Sequence, residues 1–472
     1  MTPEVTFIVL IVGVALAFDF INGFHDSANS IATVVGTRVL TPGVAVIWAA
    51  FFNFVAAFTV GTAVAKTIGK GLVNPAIVDP NVILAGLIGA IIWNLATWWL
   101  GLPASSSHTL IGSIIGVGVA NALMHGRDGT SGVDWAQATK VGYSLLLSPL
   151  VGFGCAALLL LALRAFVKNK ALYEEPRGNQ PPPWWIRGLL ILTCTGVSFA
   201  HGSNDGQKGM GLIMLILVGT VPMAYALNRA MPVDQTTQFV AVAQVTQQSL
   251  HRIDGGVAPA DPRRAISDYV RTKSLTPDVL PALAALTGSI GAQVKEHGSL
   301  ARVPAAAMAN VRNDMYLASE AIRLVDKNPA VSFNAETKAN LKAFKQQLDD
   351  ATKFIPLWVK VVVAIALGLG TMVGWKRIVV TVGEKIGKTH LTYAQGASAE
   401  LVAMVTIGAA DIYSLPVSTT HVLSSGVAGT MAANRSGLQM STIRNLLMAW
   451  VLTLPIAIVL SGSLYWIFVH LF

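Results

Sequence analysis

Long apolar runs separated by short polar segments make up most of the chain. Eight runs come close to the length of about 20 residues that a helix needs to cross the hydrocarbon core of a bilayer; they are 4–24, 42–65, 81–100, 138–166, 187–205, 355–375, 397–413 and 444–470. Two more, near 26–40 and 208–227, begin among polar residues. The pattern predicts an all-α polytopic membrane protein. Because no basic residue precedes the first run, we expect a retained transmembrane helix there rather than a signal peptide.

Two short apolar runs, 104–120 and 417–433, each begin just after a Leu-Pro pair. They are too short for clean spans, and we expect re-entrant hairpins or broken helices.

One long segment of the chain, 229–353, is polar and contains 27 of the 57 Lys, Arg, Asp and Glu residues. Its mixed charge and helical patterning predict a small helical cytoplasmic insert. The expected parts are a first transmembrane repeat at 1–170, the start of a second at 186–228, the insert at 229–354, and the rest of the second at 355–472.

The charge content excludes several classes of protein. Only 12% of the residues are charged, about half the share of a soluble globular chain. The net charge of +9 comes from loops beside apolar runs, without a basic stripe interleaved with aromatics, so nucleic acid is not an expected partner. By the positive-inside tendency the basic 164–187 loop and the insert face the cytoplasm, which puts the N-terminus outside. Two cysteines, Cys155 and Cys194, indicate neither a disulfide framework nor a metal site.

Two motifs occur twice in the chain. Residues 102–110 recur at 415–423 with five of nine positions identical, and residues 20–26 match 199–205. The sequence therefore predicts two repeats of about five transmembrane helices each, the second interrupted by the insert. An odd number of crossings makes the repeats inverted, which is typical of secondary transporters with interrupted helices and a site at the repeat interface. A channel is the less favoured alternative.

The repeated motifs contain the candidate chemistry. Asp26 and Asp205 lie at equivalent positions, and we expect an apolar helix to give way at each of them to a break containing Gly, Asn and Ser. An ionisable group within a membrane segment is costly and indicates function; capping of a broken helix is the alternative for either one. In the Leu-Pro motif, Ser and Thr residues follow the proline at 105–107 and again at 418–420. A helix that starts there offers free N–H groups and a favourable dipole to an anion. Two such tips could hold a tetrahedral oxyanion, although Ser and Thr also pack between membrane helices. His108 and His421 are expected to brace these hairpins.

An anion between two carboxylates needs a compensating cation or proton, since unit charges a few ångströms apart repel by several kcal/mol in a protein interior. That requirement predicts symport. An intramembrane protease, suggested by paired Asp or by Ser with His, is disfavoured because the residues lack the tight Gly-flanked Asp pairing and the Gly-x-Ser-Gly turn. No enzyme activity, catalytic residue or resident cofactor is therefore expected.

At these residues the sequence resembles the inorganic phosphate transporter (PiT) family, and its bacterial low-affinity Pit branch most closely. The resemblance covers essentially the whole chain and rests on residues 23–30, 201–205 and 415–421. It implies a secondary transporter that imports phosphate across the inner membrane, typically with protons, and allows for a homodimer. Sulfate transport and sodium-coupled phosphate transport are the alternatives, and a divalent metal could accompany phosphate.

The resemblance also assigns residues, together with the charge arguments above. The candidate phosphate ligands are Asn29, Ser105, Ser106, Ser107, Asn204, Lys208, Ser418, Thr419 and Thr420. The candidate cation-coupling residues are Asp26, Asp205, Glu400 and His25. Compared with sodium-coupled members, His25 and Lys208 each replace an Asn, and Asn53 stands where such members tend to have a Glu. We expect the Lys208 ammonium to occupy a sodium position and so to favour protons as the driving ion.

Overall fold

The computed structural model describes residues 3–59, 80–176, 182–253, 256–413 and 417–471. These residues form two compact units, one made of Met1–Ile216 with Pro356–Phe472 and the other of Leu217–Ile355. The second unit contains the whole of the predicted insert. The end of the run 42–65 and the second Leu-Pro pair, at 415 and 416, lie outside the described residues.

The described chain forms eighteen α-helices with short 3₁₀ turns between some of them. Up to the second unit they are α1 Pro3–Asp26, α2 Ala28–Gly36, α3 Pro42–Thr59, α4 Pro80–Trp99, α5 Ser106–Met124, α6 Trp135–Phe166 and α7 Trp184–Thr220. Next come α8 Pro222–Tyr225, α9 Val233–Ile253, α10 Pro262–Thr272, α11 Val279–His297, α12 Ala305–Asp326 and α13 Ala335–Thr352. The last are α14 Leu357–Met372, α15 Lys376–Glu384, α16 Tyr393–Ile412, α17 Thr419–Ala433 and α18 Met440–Leu471. The predicted all-helical membrane architecture is confirmed.

Six segments of the described chain are long and apolar enough to cross a membrane. They are Val5–Gly36, Pro42–Thr59, Asn81–Trp99, Ser106–Met124, Val141–Phe166 and Met440–Leu471. The first combines α1 and α2, which are separated only at Ser27. Because Ser27 keeps helical backbone angles, the expected break after Asp26 amounts to an interruption of one residue within a single spanning segment. The short run predicted at 104–120 is a helix of 19 residues in α5 and is itself long enough to span.

The expected break at Asp205 is wrong. The runs 187–205 and 208–227 were interpreted as separate segments, but α7 passes through both as one helix of 37 residues. Its polar stretch contains no proline to break it. The stretch is buried and satisfied by side chains of neighbouring helices, so the helical hydrogen bonds need no interruption.

Glycines at equivalent positions of the two motifs allow helices to cross closely. Gly23 of α1 lies against the carbonyl oxygen of Leu367 in α14, where any Cβ would clash. Gly202 of α7 lies against α3, where a Cβ would come within 2.5 Å of the Asn53 Cα and carbonyl oxygen. Two crossings of the same design, each between one half of the unit and the other, support the predicted repeats. Their inverted relation stays a prediction.

The hairpin helices also pack across the two halves. Helix α5 packs against α18, and α17 packs against α6. Each helix that starts at a hydroxyl motif is therefore supported by a long apolar helix from the other half, and both tips are held in the interior of the first unit.

Helices α9–α13 form the second unit around their own apolar core, in which the rings of Phe239 and Phe344 lie 5.7 Å apart. The helical structure predicted for the insert is confirmed, and α12 and α13 are its last two helices. Asn334 begins α13 by accepting the N–H of Thr337 at 2.8 Å.

A polar cluster joins the end of α13 to α12. Burial alone would raise the pKa of Asp349, but the ammonium groups of Lys353 and Lys345 and the hydroxyl of Ser319 overcome that effect and hold the pKa well below its usual value. The cluster thus stabilises the second unit through a carboxylate that is ionised at neutral pH.

Candidate functional site

The two hydroxyl tips are the helix starts at 105–107 and 418–420, and they are capped in the same way. The Ser105 hydroxyl accepts the backbone N–H of His108 at 3.2 Å, and the Ser418 hydroxyl accepts that of His421 at 3.1 Å. These are N-cap hydrogen bonds, which satisfy one of the N–H groups left free at a helix start. Ser105 and Ser418 therefore shape the tips, and the next two hydroxyls of each motif point to other partners.

Both tips meet at Asp26, the last residue of α1. The Ser106 hydroxyl donates to one carboxylate oxygen at 2.9 Å, and the Thr420 hydroxyl donates to the other at 2.6 Å. Asn29 donates to both Thr419 and Thr420 at 3.1 Å. Two of the donors predicted to hold an oxyanion, Ser106 and Thr420, are thus brought together, and here they hold a buried carboxylate.

Asp205 is surrounded by three polar groups. Its Oδ1 accepts from the Lys208 ammonium at 2.6 Å, and its Oδ2 accepts from Asn22 at 3.2 Å and lies 3.2 Å from His201 Nε2. Lys208 also donates to the Ser107 hydroxyl at 2.6 Å and to the carbonyl of Val417 at 3.3 Å. Lys208 therefore connects the second carboxylate to the start of both hairpins.

His201 lies between the two carboxylates. Its Nε2 is 3.2 Å from Asp205 and 3.9 Å from Asp26, while its Nδ1 is 3.2 Å from the Asn53 side-chain oxygen. The amide nitrogen of Asn53 donates to Thr371 at 3.0 Å, which leaves the oxygen to accept from Nδ1. A neutral imidazole would then direct its Nε2 lone pair at two anions. A proton or a cation is needed to stabilise this arrangement.

The atoms of Asp26, His201 and Asp205 lie within 4.8 Å of one another, close enough to bind a single cation. Sequence reasoning did not assign a role to His201. The signal was available in its spacing, since residues i and i+4 share a face of a helix and His201 precedes Asp205 by four. No metal ligands were predicted, so this cluster is an addition to the candidate site.

Two predicted residues, His25 and Asn204, lie at the edge of this cluster. His25 has its Nδ1 3.5 Å from Asp26 and its Nε2 3.0 Å from the hydroxyl of Thr97. Asn204 donates to Asp411 at 2.6 Å, and Ser203 also donates to that carboxylate. Asp411, which sequence reasoning missed, thus fixes the second motif to the end of α16.

Glu400 is fully buried in α16 and accepts hydrogen bonds from Thr33 and Thr193. These hydroxyls lie on α2 and α7, away from the carboxylates at the tips. The contacts recorded for Glu400 thus belong to a polar group separate from the Asp26–Asp205 cluster.

The hairpin histidines form an aromatic stack. The rings of His108 and His421 are 4.7 Å apart, and His421 stacks on Trp450 of α18 at 4.3 Å. The Trp450 indole donates to the carbonyl of Pro103 at 3.0 Å. These contacts brace the two tips against each other, in agreement with the role expected of the histidines.

The sequence matches known proteins over nearly its full length. A family model described as the phosphate transporter family matches residues 22–461. The low-affinity inorganic phosphate transporter PitA of Escherichia coli (strain K12) is 39% identical over 98% of this chain and 96% of its own length, and PitB of the same organism is 38% identical over 98% and 97%. A solved structure called the sodium-dependent phosphate transporter has a TM-score of 0.54 at 20% identity and covers 99% of this chain and 100% of that one, which shows a shared fold.

Proposed function

Since the chain belongs to the phosphate transporter family, we propose that it imports inorganic phosphate by symport with protons across the cytoplasmic membrane, with its N-terminus outside. The observation that carries the proposal is the convergence of both hairpin tips on Asp26. Hydroxyl groups and an ammonium group are the donors that a tetrahedral oxyanion requires, and the fold presents them from both halves of the chain at one buried point.

Phosphate would take over donors that now bind carboxylates. Ser106 and Thr420 would turn from Asp26 to the phosphate oxygens, and Ser107 and Lys208 lie beside them. The two carboxylates would then face an additional anion, a repulsion of several kcal/mol in a protein interior. A cation bound at the same time removes that repulsion. Each ligand therefore improves the site for the other, which is the energetic basis of symport.

The cation we propose is a proton bound within the group formed by Asp26, His201 and Asp205. A proton satisfies His201 Nε2, which otherwise directs a lone pair at the carboxylates. The Lys208 ammonium already lies 2.6 Å from Asp205 Oδ1, so a sodium ion at that oxygen would have to displace it. The same three side chains offer one nitrogen and two oxygens to a divalent metal that enters with phosphate as part of the substrate.

The substrate is tested by competition in liposomes that contain the purified protein. Uptake of labelled phosphate is measured with and without unlabelled sulfate at several pH values, with magnesium present or absent. We expect unlabelled phosphate to compete and sulfate to have little effect. Equal competition by sulfate would overturn phosphate as the preferred oxyanion. An absolute requirement for magnesium would replace the free anion by a metal–phosphate complex as the substrate.

A further inference from the structure

Helix α1 carries a second buried carboxyl group, Asp19, which the proposed mechanism does not use. Its side chain is 2% exposed, and its Oδ2 has no hydrogen-bond partner among the described residues. Asp19 precedes Asp26 by seven residues, so the two share one face of α1 about 10 Å apart along the axis. An ionisable group at such a position within a membrane helix indicates a functional site.

Asp19 lies against α7 at Gly209. A Cβ added to Gly209 would clash with both carboxylate oxygens of Asp19, so the Asp19 carboxyl group lies directly against the backbone of α7. Gly209 follows Asp205 by four residues, one helical turn and about 6 Å along the axis. Asp19 thus lies one turn of α7 away from Asp205.

The contacts between α1 and α7 run in opposite directions along the two helices. His201 faces Asp26, Asn22 donates to Asp205, and Asp19 faces Gly209. The two helices are therefore antiparallel where they touch. Asp19 extends the carboxylate cluster towards the N-terminal end of α1, on the side away from the hairpin tips.

The surroundings of Asp19 offer few compensating charges. The neighbouring helices α2, α3 and α4 contain no ionisable side chain in their described residues, α5 contains only His108, and α14 contains only Lys360. On α7, the Asp205 carboxylate repels a negative charge on Asp19, and the Lys208 ammonium is held by Asp205 and Ser107. Asp26 and His201 lie further along the same interface.

This environment suits a neutral carboxyl group better than a bound metal ion. A buried carboxylate oxygen to which no described residue donates, such as Asp19 Oδ2, is costly in its charged form. A hard metal cation would need several oxygen ligands around it. The backbone at Gly209 fills the space directly in front of the carboxyl group. Unlike a metal ion, a proton can bind here without ligands beyond those that the described residues supply.

We propose that Asp19 is a proton-binding site that loads Asp205 during transport. The O–H bond of the Asp19 carboxyl group breaks, and the proton forms an O–H bond on the Asp205 carboxylate. The proton is then released from Asp205 to the cytoplasmic side with phosphate, and Asp19 takes up a new proton from water on the opposite side. The inference rests on the proposed proton-coupled phosphate transport and adds the group through which protons reach the cluster.

The test separates proton coupling from phosphate binding. Liposomes containing the full chain are loaded with unlabelled phosphate for exchange, or left without it and given an inward proton gradient. For Asp19→Asn, which keeps the shape of the neutral carboxyl group, we expect normal exchange and a loss of gradient-driven uptake of about tenfold or more. Asp19→Glu should retain gradient-driven uptake. A pH-sensitive dye inside the liposomes should show fewer protons entering per phosphate in Asp19→Asn.

The exposed loop residue Asp128 supplies the matched control, since Asp128→Asn makes the same change outside the membrane-spanning helices and should leave both assays unchanged. Gradient-driven uptake and proton entry that are equal in Asp19→Asn and the wild type would overturn the inference alone. Loss of exchange as well would also overturn it, because Asp19 would then serve binding or folding. A wild type that moves no phosphate in either assay would overturn the proposed function, and the inference with it.

Discussion

Replacing Lys208 by asparagine tests the proposal that its ammonium takes the place of a sodium ion. The Lys208 ammonium is 3% exposed and lies 2.6 Å from Asp205 and 2.6 Å from the Ser107 hydroxyl. At that separation the attraction to the carboxylate is about 6 kcal/mol with an effective dielectric constant of about 20, before desolvation is deducted. Removing one partner of a buried pair costs about 3–5 kcal/mol. The lower value applies here because His201 and Asn22 still contact Asp205.

A loss of about 3 kcal/mol corresponds to roughly 100-fold in binding. We therefore expect Lys208→Asn to lower the initial rate of phosphate uptake about 100-fold in sodium-free buffer, and sodium to restore much of it by taking the place of the ammonium. The assay compares sodium chloride with choline chloride at equal ionic strength and a fixed proton gradient. Lys342→Asn, on the exposed face of α13, is the control.

Two results would refute this reasoning. Uptake by Lys208→Asn that is unchanged without sodium would mean that the ammonium does not substitute for a cation. Uptake that is lost and that sodium does not restore would mean that the ammonium serves phosphate alone and does not take the place of a sodium ion.

Three further predictions follow from the packing and the polar contacts. Gly202→Ala should destabilise the protein by about 1–3 kcal/mol because its Cβ would meet the Asn53 backbone. The control is Gly188→Ala on the same helix, whose Cβ would meet nothing within 4 Å, and thermal unfolding in detergent compares the two variants. Thr420→Val should raise the KM for phosphate about tenfold, measured against Thr430→Val on the same helix. Asp349→Asn should destabilise the second unit by about 2–3 kcal/mol at pH 7, followed by hydrogen exchange.

The sign of the pH effect at Asp349 follows from its depressed folded-state pKa. Stabilisation by this carboxylate is fully present above the unfolded pKa of about 3.9 and is lost as the pH falls below it towards the folded pKa. The difference between wild type and Asp349→Asn should therefore shrink below about pH 4. A difference that persists unchanged in acid would contradict the assigned role of the carboxylate.

The sequence predicted the helical membrane architecture because apolar runs of spanning length leave few alternatives. It also predicted both hydroxyl tips, since proline followed by Ser or Thr has local consequences for a helix start. It failed at Asp205, where a polar, glycine-rich stretch was interpreted as a break. The stretch remains helical because its glycines and polar side chains meet other helices, and such contacts are not visible in one segment.

The centre of the site was less predictable. Ser106 and Thr420 reach Asp26 across 80 and 394 residues of sequence, and only tertiary packing brings them to one carboxylate. Asp19 lies outside both repeated motifs, so the repeat does not point to it, although an ionisable residue within an apolar run indicates function by itself. His201 and Asp411 were not assigned because a polar residue beside a motif has many bland explanations.

The most direct test of the account is phosphate uptake driven by an imposed proton gradient in sodium-free liposomes, with wild type and Asp205→Asn compared side by side. The account predicts that wild-type uptake follows the size of the gradient and that Asp205→Asn abolishes it. Uptake that proceeds only with sodium, or that is equal in Asp205→Asn, would contradict proton symport through the carboxylate cluster.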